Sequence, residues 1–179
     1  YKIEDNISAM SALAERVRQQ VPRNIACISA PIASNDRARG RANGIRLAMT
    51  KAGLSADDLV LTQTPYGIES GEAAFRHTLA AAPETTVVMC GNDVLAIGAL
   101  RAAKEMGLKV PQDISITGFD DIEIARLADP DLTTVHVPHR EMGRRAASML
   151  NQMVKQREVT ASVELPTDIR LRRSLGPAP

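Results

Sequence analysis

The sequence predicts an α/β fold, a doubly wound parallel β-sheet with helices on both faces. Of the 179 residues, 44% are hydrophobic, which is enough for a chain of this length to bury a core. Short continuous apolar runs, typical of strands covered on both faces, alternate with apolar stripes at helical spacing. The connections between them are short, and strand–helix–strand crossovers of this kind join parallel strands.

The first elements follow from the change in apolar spacing along the chain. Apolar residues at helical spacing predict a helix over about residues 7–20, and Pro22 ends it. The continuous apolar run 25–28 then predicts a buried strand. A second stripe predicts a helix over 38–52, and Gly53 stands where helices commonly take a C-terminal glycine.

The same alternation continues to the end of the chain. The clearest helical stripe of all lies over 142–154. The predicted elements are, in order, a strand over 59–61, a helix around 73–79 that ends before Pro83, a strand over 87–90, a helix over 94–106 closed by Gly107, strands over 114–117 and 132–135, the helix over 142–154, and short strands over 163–165 and 169–171.

Composition and charge exclude several classes of protein. Lys and Arg number 22 against 21 Asp and Glu, so the net charge of +1 leaves no basic footprint for nucleic acid. No apolar run approaches the roughly 20 residues that span a bilayer, and the first residues do not resemble a signal peptide. Cys27 and Cys90 lie inside apolar runs and predict two buried thiols. These features predict a soluble, cytoplasmic chain.

Polar side chains collect in the loops that follow the predicted strands. In a doubly wound sheet a ligand binds beyond the carboxyl ends of the strands, so these loops are the candidate site. Amides, guanidinium groups and carboxylates hydrogen-bond hydroxyl groups, and an aromatic ring covers an apolar sugar face. The sequence therefore predicts a site for a polyhydroxylated ligand. The loops hold Asn35, Asp36, Arg37, Arg39, Arg41, Tyr66, Asn92, Asp93, Asp120 and Asp121.

Structural roles are an alternative for several of these residues. Asn92 and Asp93 suit the capping of the following helix, which is the favoured interpretation from the residues alone. Arg37 and Arg39 suit the solvated first turn of a helix, and Asp121 suits a loop or cap.

Catalysis and metal binding are disfavoured. No glycine-rich phosphate loop follows a strand, and no Ser–His or Cys–His partnership is visible. His136 and His139 are three residues apart but lack a third zinc ligand. We therefore expect no enzyme activity, no metal and no cofactor.

Seven short segments resemble the lactose-repressor family (LacI/GalR type) in order and spacing. Residues 92–98 resemble its ND-x-x-A-x-G segment, 107–121 its G-x-x-V-P-x-D-I-S-x-x-G-F-D-D segment, and 130–135 its P-x-L-T-T-V segment. Further matches are Asp5-Asn6, residues 41–44, the helix from Met142-Gly143, and a closing R-x-S formed with Arg170, Arg173 and Ser174. Together the segments cover essentially the whole chain.

The resemblance implies a periplasmic-binding-protein-like (type I) effector domain. Members of the family carry a helix-turn-helix headpiece, a hinge helix and a two-lobed sugar-binding body, and nothing in this chain resembles the headpiece. By this resemblance, 1–22 is a fragment of the N-terminal lobe and 23–137 is the C-terminal lobe. Residues 138–158 form a helix of the N-terminal lobe, and 159–179 return to the C-terminal lobe and form the tail.

The resemblance also assigns ligand contacts, residue by residue. Arg41 matches the arginine that forks onto ligand hydroxyls, and Tyr66 matches a position that often carries an aromatic to stack on the sugar. Val137 stands where relatives often have glutamine, so an amide is lost at that crossover. The other expected contacts are Asn92, Asp120, Asn35 and Arg37.

The expected function is that of a sugar- or metabolite-responsive transcriptional regulator, a repressor. This chain would be its effector-binding and dimerisation domain, and operator DNA would be bound only through the headpiece. The resemblance implies a homodimer through the helices at 69–82 and 94–106 and the loop after Asp121. The alternative is a solute-binding protein of a sugar ABC transporter, which shares the fold.

Overall fold

The computed structural model describes residues 5–20, 24–156 and 163–177, and it contains a parallel sheet with helices on both faces. The predicted fold class is confirmed. The elements are α1 (Asn6–Gln20), β1 (Ile25–Ser29), α2 (Asp36–Lys51), a 3-10 turn (Ala56–Asp58), β2 (Val60–Gln63), α3 (Ile68–Ala81), β3 (Val87–Cys90), α4 (Asp93–Glu105), β4 (Ser115–Thr117), α5 (Glu123–Leu127), β5 (Thr134–His136), α6 (His139–Gln156) and β6 (Asp168–Arg170).

The order of strands in the main sheet is β2-β1-β3-β4, with every neighbouring pair parallel. From β1 the chain runs outward to β2 and then returns to the other side of β1 to form β3. The winding direction therefore reverses between β1 and β3. In doubly wound sheets the crevice at this reversal, beyond the carboxyl ends of the strands, is where ligands bind.

Two apolar cores cover the two faces of the sheet. Side chains alternate along a strand, so Ile25 and Cys27 of β1 pack with α1 and α2 in one core. Ala26 and Ile28 point the other way and pack with α3 and α4. Burial on both faces explains why these strands are continuous apolar runs.

A small antiparallel pair, β5 with β6, lies beside β4. Two parallel bridges, Thr117 with Thr133 and Asp120 with His136, connect it to β4 and the residues that follow β4. The prediction of a strand over 163–165 is wrong, because Leu165 is buried by packing and its segment pairs with no strand. The short helix α5 was not predicted, since five residues are too few to show a helical period.

Helix α1 belongs to the core of the sheet. Its apolar stripe, Met10, Leu13 and Val17, is fully buried and packs with α2 and β1. The predicted lobe boundary near residue 22 therefore does not separate two cores. Residues 1–4, 21–23 and 157–162 lie outside the described residues, and with them the predicted boundary near 159.

Helix α6 differs from the core helices in its exposure. Met149 is buried, but Leu150 and Val154 of the same apolar stripe are 63% and 74% exposed. The stripe that predicted this helix therefore faces solvent over much of its length. Even so, no helix among the described residues is long and apolar enough to cross a membrane.

Helices α3 and α4 cross closely through glycines. A Cβ atom on Gly98 would lie 2.1 Å from the carbonyl oxygen of Ile68, and one on Gly71 would lie 2.5 Å from that of Leu95. These are backbone atoms that no side-chain rotation can move. The closeness of the two helices therefore depends on residues without side chains.

Both cysteines are buried and free, as predicted. Burial is the largest cause that raises the pKa of the Cys27 thiol to about 12. The pKa of Cys90 is also raised well above its usual value, again mainly by burial. Because the thiolate is the reactive form, these two thiols are inert core residues.

Candidate functional site

A cavity of about 210 Å³ lies beyond the carboxyl ends of β1 and β3, at the reversal of the winding. Its walls come from the start of α2, the loop before α3, the loop after β4 and the start of α6. Six of the seven predicted contacts line it, and Val137 does not. The lining residues are Ser29, Ala30, Asn35, Arg37, Ala38, Arg41, Tyr66, Gly91, Asn92, Asp120 and His139.

Arg41 is held from three sides. Its Nε donates to Oδ1 of Asn6 (2.7 Å) and Nη1 donates to the carbonyl oxygen of Gly91 (2.6 Å). Nη2 pairs with Oδ1 of Asp120 at 3.1 Å, and the guanidinium carbon lies 3.8 Å from the centre of the Phe119 ring. The guanidinium is thus preorganised by protein contacts, and part of its donor capacity already serves Asn6, Gly91 and Asp120.

Asp120 occupies an unusual backbone conformation. Its φ of 110° lies outside the regions that residues with a side chain normally adopt. The backbone N–H of Asp120 donates to Val135, and its carbonyl oxygen accepts from the N–H of Val137. Strand β5 therefore holds this loop in place and, together with Arg41, aims the carboxylate at the cavity. Strain of this kind clusters at functional sites.

Asp121 holds the same loop through contacts outside the cavity. Its carboxylate accepts hydrogen bonds from Nη2 of Arg172 (2.5 Å) and lies 2.9 Å from Nδ1 of His136. Burial acts to raise the pKa of Asp121, yet the hydrogen bonds from Arg172 and His136 and the charges of Arg172 and Arg126 hold it below its usual value. Sequence reasoning treated Asp121 as a loop or cap residue and did not identify Arg172 as its partner.

Asn35 and Asn92 both cap helices and line the cavity. Oδ1 of Asn35 accepts from the backbone N–H of Ala38 (3.0 Å), and Oδ1 of Asn92 accepts from that of Leu95 (2.9 Å). Capping and cavity lining are thus compatible. Helices α2 and α4 begin at the cavity, so the positive ends of both helix dipoles face it.

The outer wall is formed by Tyr66, Arg37 and His139. Tyr66 is 63% exposed, and its pKa is raised first by partial burial and then by the charges of Asp120 and Asp93. Arg37 and His139 are also exposed. In the sequence, His139 is a candidate only as a metal ligand. Its place directly after a predicted crossover between lobes is the one signal for a role in this cavity.

Val137 lies in the core instead of the cavity wall. Its side chain is almost fully buried in the core that contains α1 and β1. Its apolar side chain explains the difference from the prediction, because burial against α1 is more favourable than exposure to a polar cavity. Its backbone N–H still holds Asp120 from the neighbouring strand.

Other candidate centres are weaker. Within residues 5–20, 24–156 and 163–177, no group of three His, Cys, Asp or Glu side chains is placed to bind a metal ion. Another cavity, of about 230 Å³, lies at the amino ends of β1 and β2, where Ile25 and Val60 begin those strands. That edge of the sheet lacks the convergent helix ends of the first cavity.

Comparison with known proteins identifies the fold family. Residues 14–175 match the periplasmic binding protein-like domain. The chain belongs to this family. The match covers the sheet, α2 to α6 and the second half of α1, so the family domain includes every element that lines the cavity.

Proteins similar to this chain include transcriptional regulators. The chain is 38% identical over 177 residues to the HTH-type transcriptional repressor PurR of Salmonella newport (strain SL254), covering 98% of this chain and 52% of that protein. It thus spans about half the length of that relative. The predicted resemblance to LacI-type regulators is confirmed.

Solved structures of similar proteins contain sugars. A LacI family regulator from Enterococcus faecium with bound ribose has a TM-score of 0.89 and 26% identity, covering 97% of this chain and 64% of that one. The complex of the transcriptional regulator CelR with cellobiose has a TM-score of 0.87 and 30% identity, covering 96% of this chain and 52% of that one.

The buried carboxyl of Asp93 lies next to the cavity wall, one residue after Asn92. Asp93 is fully buried, and its oxygens accept from Oγ1 of Thr134 (2.6 Å) and the backbone N–H of Ile122 (2.9 Å). Burial, as the largest cause, raises the pKa of Asp93 to about 7. In this family domain Asp93 therefore ties α4 to β5 and to the segment before α5, while its neighbour Asn92 faces the cavity.

Proposed function

We propose that this chain is the effector-binding and dimerisation domain of a cytoplasmic transcriptional repressor of the lactose-repressor family. The supporting observation is the cavity at the reversal of the winding, where six predicted contacts converge. In the proposal, the protein binds a small sugar or a sugar-derived metabolite there, and it binds operator DNA through a headpiece outside this chain.

The chemistry of the cavity suits a ligand rich in hydroxyl groups. The Arg41–Asp120 pair offers a fixed donor and a fixed acceptor side by side. Asn35 and Asn92 add amides, and the exposed ring of Tyr66 supplies a flat apolar surface. The ribose and cellobiose in the structures of the two similar regulators support this ligand class.

The proposed mechanism is a shift between two conformations. The cavity lies between the loop after β4 and the first residue of α6, so a ligand there contacts both segments at once. A ligand that binds one arrangement more tightly favours that arrangement in proportion to the difference in affinity. We propose that this shift reaches the headpieces through α6 and the N-terminal lobe.

The test is effector titration of the intact protein. A panel of sugars is screened by thermal shift, and each hit is tested for its effect on operator binding. Replacing Arg41 with Lys should weaken effector binding at least about tenfold, because an ammonium group cannot reproduce the planar fork of donors of a guanidinium. Tyr66→Ala should weaken it about three- to tenfold, and Tyr66→Phe much less, because the ring remains.

Operator binding without effector is the folding control for these variants. It should be unchanged in all three, since the headpiece lies outside this chain. Wild-type effector affinity in both Arg41→Lys and Tyr66→Ala would contradict the assignment of this cavity.

A further inference from the structure

The floor of the cavity contains a buried hydroxyl group that has no partner in the described part of the chain. Ser29 ends β1 and is only 1% exposed, and its Oγ makes no hydrogen bond to any described residue. It lines the cavity next to Gly91, where a Cβ atom would lie 3.2 Å from that oxygen. Since a buried unpaired hydroxyl is unfavourable, an oxygen of the bound ligand is the natural acceptor for it.

The charges on the cavity wall do not balance. Arg41 and Asp120 form an ion pair and neutralise each other. Arg37 is exposed on the wall, and among the described residues its guanidinium has no hydrogen-bonding or ionic partner. The neighbouring Asp36 carboxylate instead accepts the backbone N–H of Arg37 (2.8 Å). One guanidinium charge therefore remains at the cavity.

The backbone adds to this positive potential. Helices α2 and α4 both begin at the cavity, so the positive ends of two helix dipoles point at the same space. Oxyanions bind well where backbone N–H groups, a hydroxyl donor and a guanidinium fork converge. Arg37 is exposed, so beside a neutral sugar its guanidinium would be hydrated by water and would meet no opposite charge.

We propose that the effector is anionic: a polyhydroxylated molecule whose carboxylate or phosphate group pairs with Arg37, with another of its oxygens accepting a hydrogen bond from Ser29. The hydroxylated part then lies against the Arg41–Asp120 pair and Tyr66. This inference rests on the proposed function, and it narrows the ligand class of the same site.

The first experiment compares matched ligands by calorimetry on the intact protein. Pentoses and hexoses are each used as the neutral sugar, the corresponding aldonic acid and the terminal phosphate. At least one anionic form should bind ten times more tightly than its neutral parent. The acid and phosphate arms show which oxyanion is recognised, because a phosphate offers three acceptor oxygens and more charge.

The second experiment removes the unpaired charge. Arg37→Gln should reduce the preference for the anionic form over its neutral parent at least tenfold, because only the anionic form pairs with the Arg37 charge. Arg39→Gln is the matched control, because Arg39 lies on the same turn, is exposed, and donates to the carbonyl oxygen of Ile32 outside the cavity. The control should not change either affinity.

The third experiment removes the buried hydroxyl. Ser29→Ala should weaken ligand binding three- to tenfold while the unfolding midpoint of the ligand-free protein stays the same or rises, because no hydrogen bond is lost in the absence of ligand. A purely structural role for Ser29 would lower that midpoint and leave affinity unchanged, which would contradict its part in the site.

The outcomes separate this inference from the proposed function. If a neutral sugar binds as tightly as its anionic forms, and Arg37→Gln behaves like Arg39→Gln, the anionic effector is wrong while a sugar-responsive regulator stands. If neither series binds and neither changes operator binding, the proposed function is wrong as well.

Discussion

At the scale of single residues, the most informative group is the carboxyl of Asp93. It is fully buried, and among the described residues its carboxyl accepts hydrogen bonds from a neutral hydroxyl and a backbone N–H. Those bonds lower its pKa, but burial and the nearby charges of Asp120 and Asp121 outweigh them, so the pKa is raised to about 7. At a pH between the ordinary pKa of an aspartate and about 7, Asp93 is therefore protonated in the folded protein and ionised in the unfolded chain.

This raised pKa predicts how stability depends on pH. Between about pH 4 and pH 7 the folded state binds the Asp93 proton and the unfolded state does not, so the free energy of unfolding should fall as pH rises through this window. Where the folded state binds one proton more than the unfolded state, the free energy of unfolding falls by about 1.4 kcal/mol per pH unit. The pKa of Asp121 is lowered, so its stabilisation is lost only at lower pH. Urea unfolding between pH 5 and pH 8 measures the effect.

Asp93→Asn is the control for that measurement. An amide of nearly the same shape has no proton to release, so the slope between pH 5 and pH 8 should become smaller. An unchanged slope in this variant would show that another group causes the dependence.

The residues of the cavity were predictable to different degrees. Asn92 and Asp120 follow strands directly, so the rule that ligands bind beyond the carboxyl ends of strands predicted where they lie. Ser29 carried no signal, because a serine at the end of an apolar run looks like the end of a strand. Whether the Ser29 hydroxyl has a hydrogen-bond partner depends on three-dimensional packing, and the spacing of residues in the sequence does not show it.

At the scale of helices and strands, the sequence predicted those elements whose buried apolar residues recur at a regular spacing. Strand β3 and helix α4 match their predicted ranges within a residue, because continuous apolar runs and helical stripes are strong signals. The segment 163–165 was misread because Leu165 is buried without a strand partner. The place of α1 in the sheet core was missed because a helical stripe shows that a face is buried, but not against which element.

The crossing of α3 and α4 gives a prediction at this scale. Gly98→Ala would place a Cβ atom 2.1 Å from the carbonyl oxygen of Ile68, so the helices must separate. We expect a loss of about 1–3 kcal/mol or more in the free energy of unfolding, as for other overpacked cores. Chemical denaturation followed by circular dichroism measures it.

Gly143→Ala is the matched comparison. Gly143 lies within α6, and an added Cβ atom there would contact nothing within 4 Å. Alanine is the better helix former by about 1 kcal/mol, so this change should stabilise the protein slightly. If both substitutions had the same effect, close helix packing would not be the reason for Gly98.

At the scale of the whole molecule, the proposed homodimer has a candidate contact in α5. Leu127 is 77% exposed and Ile124 is 39% exposed, and both follow Asp121, where the sequence led us to expect a dimer contact. A two-fold dimer brings the same patch of both protomers together, so each exposed apolar residue is buried in the interface twice, once on each protomer.

Leu127→Asp should therefore shift the intact protein from dimer to monomer. Analytical ultracentrifugation at micromolar concentration checks this. Leu54→Asp is the control, since Leu54 is also exposed (45%) but follows α2 and lies away from α5. A dimer as stable as the wild type in Leu127→Asp would place the interface elsewhere.

The contacts of Arg41 also affect when the site forms during folding. Three of its hydrogen-bond partners among the described residues are 35, 50 and 79 residues away along the chain. Contacts at such separations form only after the large loops between them have closed, and that closure is slow. A partly folded chain, with only neighbouring helices and strands in place, thus has no complete cavity. The effector therefore binds only after these distant segments of the fold have come together. Because a ligand stabilises the form that it binds, the effector stabilises only fully folded protein.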